Sequence, residues 1–210
     1  MVVVFGASGH AKEVLYILRK SRCLYPTPAF LIANTASNSI ANIPVLSEDI
    51  FLDRVERGIS DSIVAYIAIG NSRIRSKIVE KFTDFDNIEF PNLIANDVYG
   101  DFDNVLLGNG NLFFPGSQLT TDAEIGNHNH FNLDVSISHD ARIGNYNSFS
   151  PGVKIAGEVT IGSFNFFGVN SCVIDKVTIG NNIVIGAGAV VVKSIFEPGT
   201  YAGIPAKKIK

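Results

Sequence analysis

The segment Ala123–Gly162, AEIGNHNHFNLDVSISHDARIGNYNSFSPGVKIAGEVTIG, indicates the architecture of the chain because a large apolar residue returns in it at every sixth position. On both sides of this segment, the same step of six meets a large apolar residue without interruption from Leu107 to Val191. Neither an amphipathic helix nor a heptad coiled coil has this period, whereas hexapeptide repeats of a parallel β-helix do. The fifteen positions are Leu107, Phe113, Leu119, Ile125, Phe131, Ile137, Ile143, Phe149, Ile155, Ile161, Phe167, Val173, Ile179, Ile185 and Val191.

The residues around each recurring apolar position favour a short strand and a turn. Glycine often follows it, as at Gly126 and Gly144, and a small or β-branched residue often stands two places before it, as at Ala123 and Val135. Glycine supplies the backbone freedom that a corner needs. Three hexapeptides close one triangular coil, so residues 105–194 are predicted to form about five coils of an all-β domain. A purely structural rod is the alternative function for such a coil.

The N-terminal third has a different pattern. Apolar runs at residues 2–5, 29–32 and 63–69 are typical of buried parallel strands. Amphipathic segments follow the first run and, over residues 72–82, the third. Strands that alternate with helices predict a small Rossmann-like, doubly wound α/β sheet. The predicted organisation is a domain at 1–92, a linker at 93–104 rich in Asn, Asp and Gly, the β-helix at 105–194 and a C-terminal tail at 195–210.

A glycine-rich turn, Gly6-Ala7-Ser8-Gly9-His10, joins the first strand to its helix. Amides at a helix N-terminus in this position bind phosphate or nucleotide in doubly wound folds. The dinucleotide fingerprint is incomplete, and Ala33-Asn34 stands after the second strand where an acidic residue would contact a ribose. A ligand loop and a tight structural turn therefore both remain open.

Composition excludes several classes of protein. The chain has 210 residues, 46% of them hydrophobic, which is enough for a buried core. Its net charge of −3 gives no electrostatic case for binding nucleic acid or an anionic membrane. Cys23 and Cys172 are far apart and have no ligand-like spacing, so we expect free thiols in a reducing cytoplasm and no metal site. The apolar N-terminal run is too short for a signal-peptide core or a membrane span.

Six blocks of sequence together resemble one family, the bacterial sugar acetyltransferases related to sialic acid O-acetyltransferase and to the N-acetyltransferases that act on UDP-bacillosamine precursors and GDP-perosamine. Members of this family fold as left-handed β-helices. The resemblance covers nearly the whole chain, and the order and spacing of the blocks are more specific than any single one. The blocks are FGASGHAKEV from Phe5, IAIGNSRIR from Ile67, SISHDARIG from Ser136, PGVKIAGEVTIG from Pro151, IGAGAVVVK from Ile185 and AGIPAKKIK from Ala202.

The resemblance implies a general base at His139, oriented by Asp140, with Asn132 beside the histidine or the substrate. An amine that attacks the thioester of acetyl-CoA must shed a proton, and imidazole titrates in the range suited to accept it. The backbone N–H of Gly157 is implied as the donor to the tetrahedral intermediate. From the residues alone, the alternative for His139 is a solvated side chain, which is the usual state of a lone histidine on an outward turn. His128 and His130 match no family feature and are predicted to lie on the surface.

The resemblance also implies where acetyl-CoA, the co-substrate, would bind. Its pantetheine would run along a coil edge between two subunits of a homotrimer, past the backbone of Gly157, Val169 and Ala187. Lysines near the C-terminal end would meet the CoA phosphates, although a solvated basic tail is the alternative. These lysines are Lys193, Lys207, Lys208 and Lys210.

The nucleotide sugar would be held mainly by the N-terminal domain. The implied contacts are Gly9, His10, Asn34, Gly70 and Asn71, with a structural cap of its helix as the alternative for His10. Two departures concern the substrate. Ser148 stands where many relatives have a second histidine, and Asn34 replaces an acidic residue.

The predicted function is acetyl transfer to the amine of a nucleotide-linked amino-deoxy sugar, such as a 4-amino-4,6-dideoxy sugar, for surface glycan synthesis. One alternative is O-acetylation of sialic acid or another sugar hydroxyl. A non-enzymatic alternative is a scaffold that binds sugar nucleotides.

Overall fold

The computed structural model describes residues 1–20, 27–35 and 37–210. These residues divide into two units, Met1–Pro91 and Asn92–Lys210. Cys172 is a free thiol in the second unit, and Cys23 lies outside the described residues.

The first unit contains a six-stranded sheet in the order β3-β4-β2-β1-β5-β6. Its strands pair in parallel except for the β3–β4 hairpin. The doubly wound sheet is thereby confirmed, while α2 and the short strands β3, β4 and β6 had no prediction. The elements are β1 Val2–Phe5, α1 Gly9–Lys20, β2 Phe30–Ile32, β3 Ser39–Ile40, β4 Ile43–Leu46, α2 Glu48–Glu56, β5 Ile63–Ile67, α3 Ser72–Phe82 and β6 Ile88–Glu89.

Three buried phenylalanines join the sheet to two of its helices. Phe5 of β1 lies 5.7 Å from Phe51 of α2 and 5.2 Å from Phe82 of α3 between ring centroids. Burying each ring removes a large apolar surface from water, which stabilises the docked helices by about 1.5–3 kcal/mol per side chain. This packing holds α2 and α3 against the end of β1, which carries one of the predicted ligand loops.

The second unit is a parallel β-helix of short strands separated by turns. Its strands are β7 Leu93–Ile94, β8 Tyr99–Gly100, β9 Leu106–Leu107, β10 Leu112–Phe113, β11 Gln118–Leu119, β12 Glu124–Ile125, β13 His130–Phe131, β14 Ser136–Ile137, β15 Arg142–Ile143, β16 Ser148–Phe149, β17 Lys154–Ile155, β18 Thr160–Ile161, β19 Phe166–Phe167, β20 Cys172–Val173, β21 Thr178–Ile179, β22 Ile183–Ile185, β23 Val190–Val191, β24 Gly199–Ala202 and β25 Lys207–Lys208.

The strands form three faces of a prism. The first face contains β7, β10, β13, β16, β19, β22 and β24, with β25 antiparallel at its end; the second runs from β8 to β23 and the third from β9 to β21. Within the repeat, partners on one face are three hexapeptides apart, as Ile137 and Ile155 are. We call the turn from first to second face the first corner, from second to third the second corner, and from third to first the third corner.

The period-six residues fill the prism. Fourteen of the fifteen are no more than 4% exposed, and Leu107 is partly buried against the same cluster. Four of them stack as an internal column of parallel rings with centroid separations of 4.4 to 4.9 Å, namely Phe113, Phe131, Phe149 and Phe167. Each coil is therefore held in register with the next by its core.

A buried column of asparagines runs along the third corner. Asn111, Asn129, Asn147 and Asn165 are at most 1% exposed and follow one another at intervals of one coil. The side chain of Asn147, for example, donates to Gly162 O at 2.9 Å and to Asn129 Oδ1 at 3.0 Å, and accepts from Asn165 N at 2.9 Å. These bonds satisfy backbone groups that a tight buried turn would otherwise leave without partners. We call this column the asparagine ladder.

The predicted linker and tail belong to the β-helix. Strands β7, β8 and β9 make its first coil, because they pair with β10, β11 and β12. Strand β24 pairs with β22 and extends the first face within residues 195–210. The prediction of a linker at 93–104 and a separate tail is therefore wrong. Five complete coils precede β22 and β23, which begin a sixth.

Candidate active site

Two loops of the first unit meet at the carboxyl edge of its sheet. Strand β1 lies between β2 and β5, and the chain continues from β1 to β2 on one side and from β5 to β6 on the other. The loops after β1 and β5 therefore diverge and open a crevice at this topological switch point. Gly6 ends β1 with a φ of +120°, and a Cβ atom there would lie 2.7 Å from the Ala68 carbonyl oxygen. Only glycine lets the loops after β1 and β5 approach this closely.

His10 lies in the first turn of α1, at this crevice. Its Nδ1 is 3.0 Å from Glu13 Oε2. Burial lowers the pKa of His10, the hydrogen bond and charge of Glu13 oppose that shift, and the charge of Arg75 adds to it. The contact with Glu13 within the helix favours the alternative of a structural role for one ring nitrogen. Gly9 beside it has no atom within 4 Å of where a Cβ would stand.

The predicted asparagines use their side-chain oxygens to begin helices. Asn71 caps α3 by accepting from the N–H groups of Arg73 at 3.0 Å and Ile74 at 3.1 Å. Asn34 accepts from Glu48 N at 3.3 Å at the start of α2. Gly70 borders open space, like Gly9. The structure thus brings Gly9, His10, Gly70 and Asn71 to neighbouring loops, whereas Asn34 follows β2.

Sequence reasoning missed a buried arginine at this edge. Arg75 is fully buried, and its Nη1 donates to the carbonyl oxygens of Ile69 at 2.8 Å and Gly70 at 3.4 Å. A signal was present, because Arg75 falls on the same helical stripe as Ile78 and Phe82, where an apolar residue is expected.

In the β-helix, the second corner of the third coil carries His139 and Asp140. The imidazole Nδ1 lies 2.7 Å from Asp140 Oδ2, and the two side chains are 56% and 58% exposed. Asp140 has a φ of +56°, as have the residues one coil before and after it, Asp122 and Glu158, within one degree. This left-handed turn reverses the chain at the corner and presents His139 outward on a rigid support. Asp140 favours the tautomer with the proton on Nδ1, which leaves Nε2 as the acceptor.

Gly157 lies one coil above His139, directly against its ring. A Cβ atom added to Gly157 would stand 2.6 Å from Cε1 and Nε2 of His139. Glu158 N donates to His139 O at 3.0 Å and so fixes the two turns together. The imidazole of His139 therefore occupies the space that a side chain at position 157 would fill.

A polar groove of about 300 Å³ reaches Asp140 from the third face. Asn104, Asp122 and Glu124 line it, together with Arg142, whose Nε lies 3.3 Å from Glu124 Oε1. Carboxylate, amide and guanidinium groups provide both acceptors and donors for the hydroxyl groups of a sugar.

The remaining predicted residues divide between other parts of the prism. Asn132, Val169 and the exposed Ala187 lie at the first corner, at the opposite edge of the second face from His139. Lys193 lies at the second corner, three coils beyond His139. Within one copy the structure therefore does not bring Asn132 and His139 to one corner.

Ser148 and the C-terminal lysines lie on or near the first face. Ser148 of β16 is only 8% exposed and pairs with His130 of β13. Lys207 is exposed on β25, Lys210 is exposed beyond it, and Lys208 Nζ lies 3.1 Å from Glu197 Oε2.

The prediction that His128 and His130 lie on the surface is wrong. They are 7% and 4% exposed. His128 stacks on Tyr146, with ring centroids 5.2 Å apart, and Tyr146 stacks in turn on Phe164 at 5.1 Å. All three stacked rings occupy left-handed turn positions of the third corner. Stacking between coils buries His128 and partly shields the other two rings from water.

Within residues 1–20, 27–35 and 37–210, no group of three or more His, Cys, Asp or Glu side chains is arranged to hold a metal ion. None of the helices in that part of the chain has the length and apolarity needed to cross a bilayer.

A doubly wound domain followed by a hexapeptide β-helix with an exposed His–Asp pair defines the class of β-helical acyltransferases. The family of the PglD N-terminal domain matches residues 1–82. No curated protein sequence matches the chain.

Solved structures match nearly the whole chain. PerB from Caulobacter crescentus, in complex with CoA and GDP-perosamine, is 31% identical with a TM-score of 0.89, covering 100% of this chain and 97% of that one. The acetyltransferase domain of PglB from Neisseria gonorrhoeae is 26% identical with a TM-score of 0.89, covering 99% and 98%. WeeI from Acinetobacter baumannii is 29% identical with a TM-score of 0.87, covering 100% and 99%. The chain belongs to this family of left-handed β-helix sugar N-acetyltransferases.

Proposed function

We propose that this protein transfers the acetyl group of acetyl-CoA to the amine of a nucleotide-linked amino-deoxy sugar, with His139 as general base. The observation that carries the proposal is the imidazole of His139, held by Asp140 and seated against Gly157 on a rigid corner. PerB, a relative over its whole length, was solved with CoA and GDP-perosamine, and a variant of that perosamine N-acetyltransferase with histidine replaced by asparagine was solved with the same two ligands.

In the proposed reaction, the sugar amine attacks the thioester carbonyl carbon and a C–N bond forms. Nε2 of His139 takes the proton that the nitrogen must lose, and Asp140 stabilises the resulting imidazolium. The backbone N–H of Gly157 donates to the oxyanion of the tetrahedral intermediate. The C–S bond then breaks, and His139 returns the proton to the CoA thiolate. The polar groove beside Asp140 would orient the sugar.

We further propose that the protein is a homotrimer whose sites form where two copies meet. His139, Asp140 and Gly157 lie at the second corner, while Asn132, Val169 and Ala187 lie at the first, so a seam that joins these corners would unite both groups. Acetyl-CoA would follow that seam, with Lys193 and Lys207 near its phosphates. The nucleotide would bind Gly9, His10, Asn34, Gly70 and Asn71, and Ser148 would contribute to the substrate pocket. Both substrates are cytoplasmic metabolites, which supports a cytoplasmic enzyme of surface glycan synthesis.

Acetyl transfer is tested by thiol release and by mass spectrometry of the product. Purified protein would be supplied with acetyl-CoA and with UDP-, GDP- and dTDP-linked 4-amino-4,6-dideoxy sugars, with sialic acid as a comparison. Turnover of at least one amine is expected. Turnover of sialic acid alone would favour O-acetylation, and a protein that fails to bind CoA would favour the scaffold.

The shared site predicts complementation between subunits. His139→Ala alters the second corner and Ala187→Phe the first, so each homotrimer should be inactive. Random mixed trimers, formed from equal amounts of the two variants, should recover about a quarter of the wild-type activity. The reason is that each of the two corners at a seam is intact in about half of the cases, so both are intact at about one seam in four. In the matched control, His139→Ala is mixed with Gly157→Val, and no recovery is expected because both changes lie at the same corner. Equal behaviour of the two mixtures would contradict the composite site.

Gly157→Ala is predicted to displace His139 without unfolding the coil. Its Cβ would overlap an exposed side chain that can rotate away, so the free energy of unfolding should change little. The imidazole would leave its productive position, and kcat should fall by about 10- to 100-fold. Asp175→Ala, at the same corner one coil further, is the control and should retain wild-type kcat. A Gly157→Ala enzyme with full activity would show that the contact does not position the ring.

A further inference from the structure

A buried cation lies behind the crevice of the first unit. Arg75 is one of the largest fully buried side chains of the described residues. Arginine is almost never fully buried without compensation, because its charge loses its hydration. It stands on the stripe of α3 that also buries Ile78 and Phe82, where an aliphatic side chain would pack at lower cost. Packing alone therefore does not explain why this position carries an arginine.

The guanidinium is directed at the loop that follows β5. Nη1 donates to the carbonyl oxygen of Ile69 at 2.8 Å and of Gly70 at 3.4 Å. These carbonyls belong to the loop that borders the crevice, and Gly70 itself faces open space. Two hydrogen bonds to one loop hold its backbone in place.

The charge of Arg75 also extends to the neighbouring loop. His10, in the first turn of α1 directly after the loop that follows β1, has its pKa lowered mainly by burial and in part by Arg75. Helices α1 and α3 both begin at this edge, at Gly9 and Ser72, and their N-termini carry partial positive charge. The guanidinium and two helix N-termini thus add their fields in one crevice.

We propose that Arg75 is a positioning residue for the diphosphate of the nucleotide sugar. It fixes the Ile69–Gly70 loop against the phosphates. From behind that loop, its positive charge attracts a diphosphate more strongly than it attracts an uncharged nucleoside. The inference rests on the proposed function, because that function places a nucleotide in this crevice.

The test measures binding by calorimetry to the intact protein. Wild type is first titrated with UDP, GDP and dTDP, and the tightest of these is compared with its own nucleoside and with CoA. Arg75→Gln should weaken diphosphate binding by about 10- to 100-fold, nucleoside binding by much less, and CoA binding not at all. Arg75→Lys keeps the charge and should retain most of the preference for the diphosphate. Lys77→Gln removes an exposed charge from the same helix and should bind like wild type.

The outcomes separate this inference from the proposed function. Failure of wild type to bind any of the three diphosphates would contradict a nucleotide site in the crevice. If wild type binds but Arg75→Gln and Arg75→Lys lose diphosphate and nucleoside affinity in equal proportion, Arg75 has only a packing role and the inference is wrong. Should Arg75→Gln fail to fold, Arg75→Lys decides: a retained preference for the diphosphate supports the proposal, and a lost one overturns it.

Discussion

His139→Ala is expected to lower kcat by a factor of about 10² to 10⁴, the usual contribution of a general base. Nε2 of the imidazole is the acceptor that Asp140 leaves open, and alanine cannot take the proton from the attacking amine. Because His139 is more than half exposed, its loss should leave the coil folded. Steady-state kinetics with acetyl-CoA and the preferred amino sugar measure the effect.

Two comparisons make this result specific. CoA affinity and oligomeric state should be unchanged in His139→Ala, since the side chain is not part of the prism core. Asp140→Asn should reduce kcat less than the loss of the histidine, because the amide can still orient the ring but no longer stabilises the imidazolium. A His139→Ala enzyme with wild-type kcat would remove the histidine from the reaction.

Asn147→Ala is expected to lower the free energy of unfolding by about 3–5 kcal/mol, since each unsatisfied buried polar group costs about 1–3 kcal/mol. The change removes bonds to Gly162 O and Asn129 Oδ1 and leaves Asn165 N without its acceptor. Urea unfolding at a fixed protein concentration measures it, because the stability of an oligomer depends on concentration.

The matched control for the asparagine ladder is Asn145→Ala, two residues earlier at the same corner. Asn145 Oδ1 also accepts from the coil before, from Asn127 N at 2.7 Å, but at a position that water reaches. Water can replace this bond, so the loss should be about 1 kcal/mol or less. Equal losses of unfolding free energy in the two variants would show that the contribution of the asparagine ladder to stability does not depend on its burial.

The interior of the prism was predictable because a period of six maps directly onto the strands. Each of the fifteen apolar positions is the last residue of its strand. The prediction failed where the coil length changes. Gly100 pairs with Leu119 across a coil that is one residue longer than three hexapeptides, so a step of six backward from Leu107 lands on Asp101 and the first coil looks like a linker. Ile179 pairs with Ile195 across a coil that is two residues shorter, which hid the last strands.

Contacts of the candidate site between positions one coil apart could be predicted from the sequence, whereas contacts between different elements or corners could not. His139 and Gly157 are separated by one regular coil of three hexapeptides, so the coil length alone could have stacked them, although resemblance identified Gly157 first. The burial of His128 and His130 and the hidden charge of Arg75 depend on packing between elements, which the sequence pattern does not encode. The distribution of Asn132 and His139 over two corners likewise needs the geometry of the prism.

The constant coil length of the repeat restricts how this enzyme can change its size during evolution. Duplication or loss of one whole coil between Asn147 and Asn165 would move every later layer by about 4.8 Å, the spacing of neighbouring strands, and keep each column aligned. An insertion of one or two hexapeptides would instead place the later strands on different faces. Tandem duplication of whole coils is thus the mutational route by which the distance between His139 and the C-terminal lysines can be altered without redesigning the core.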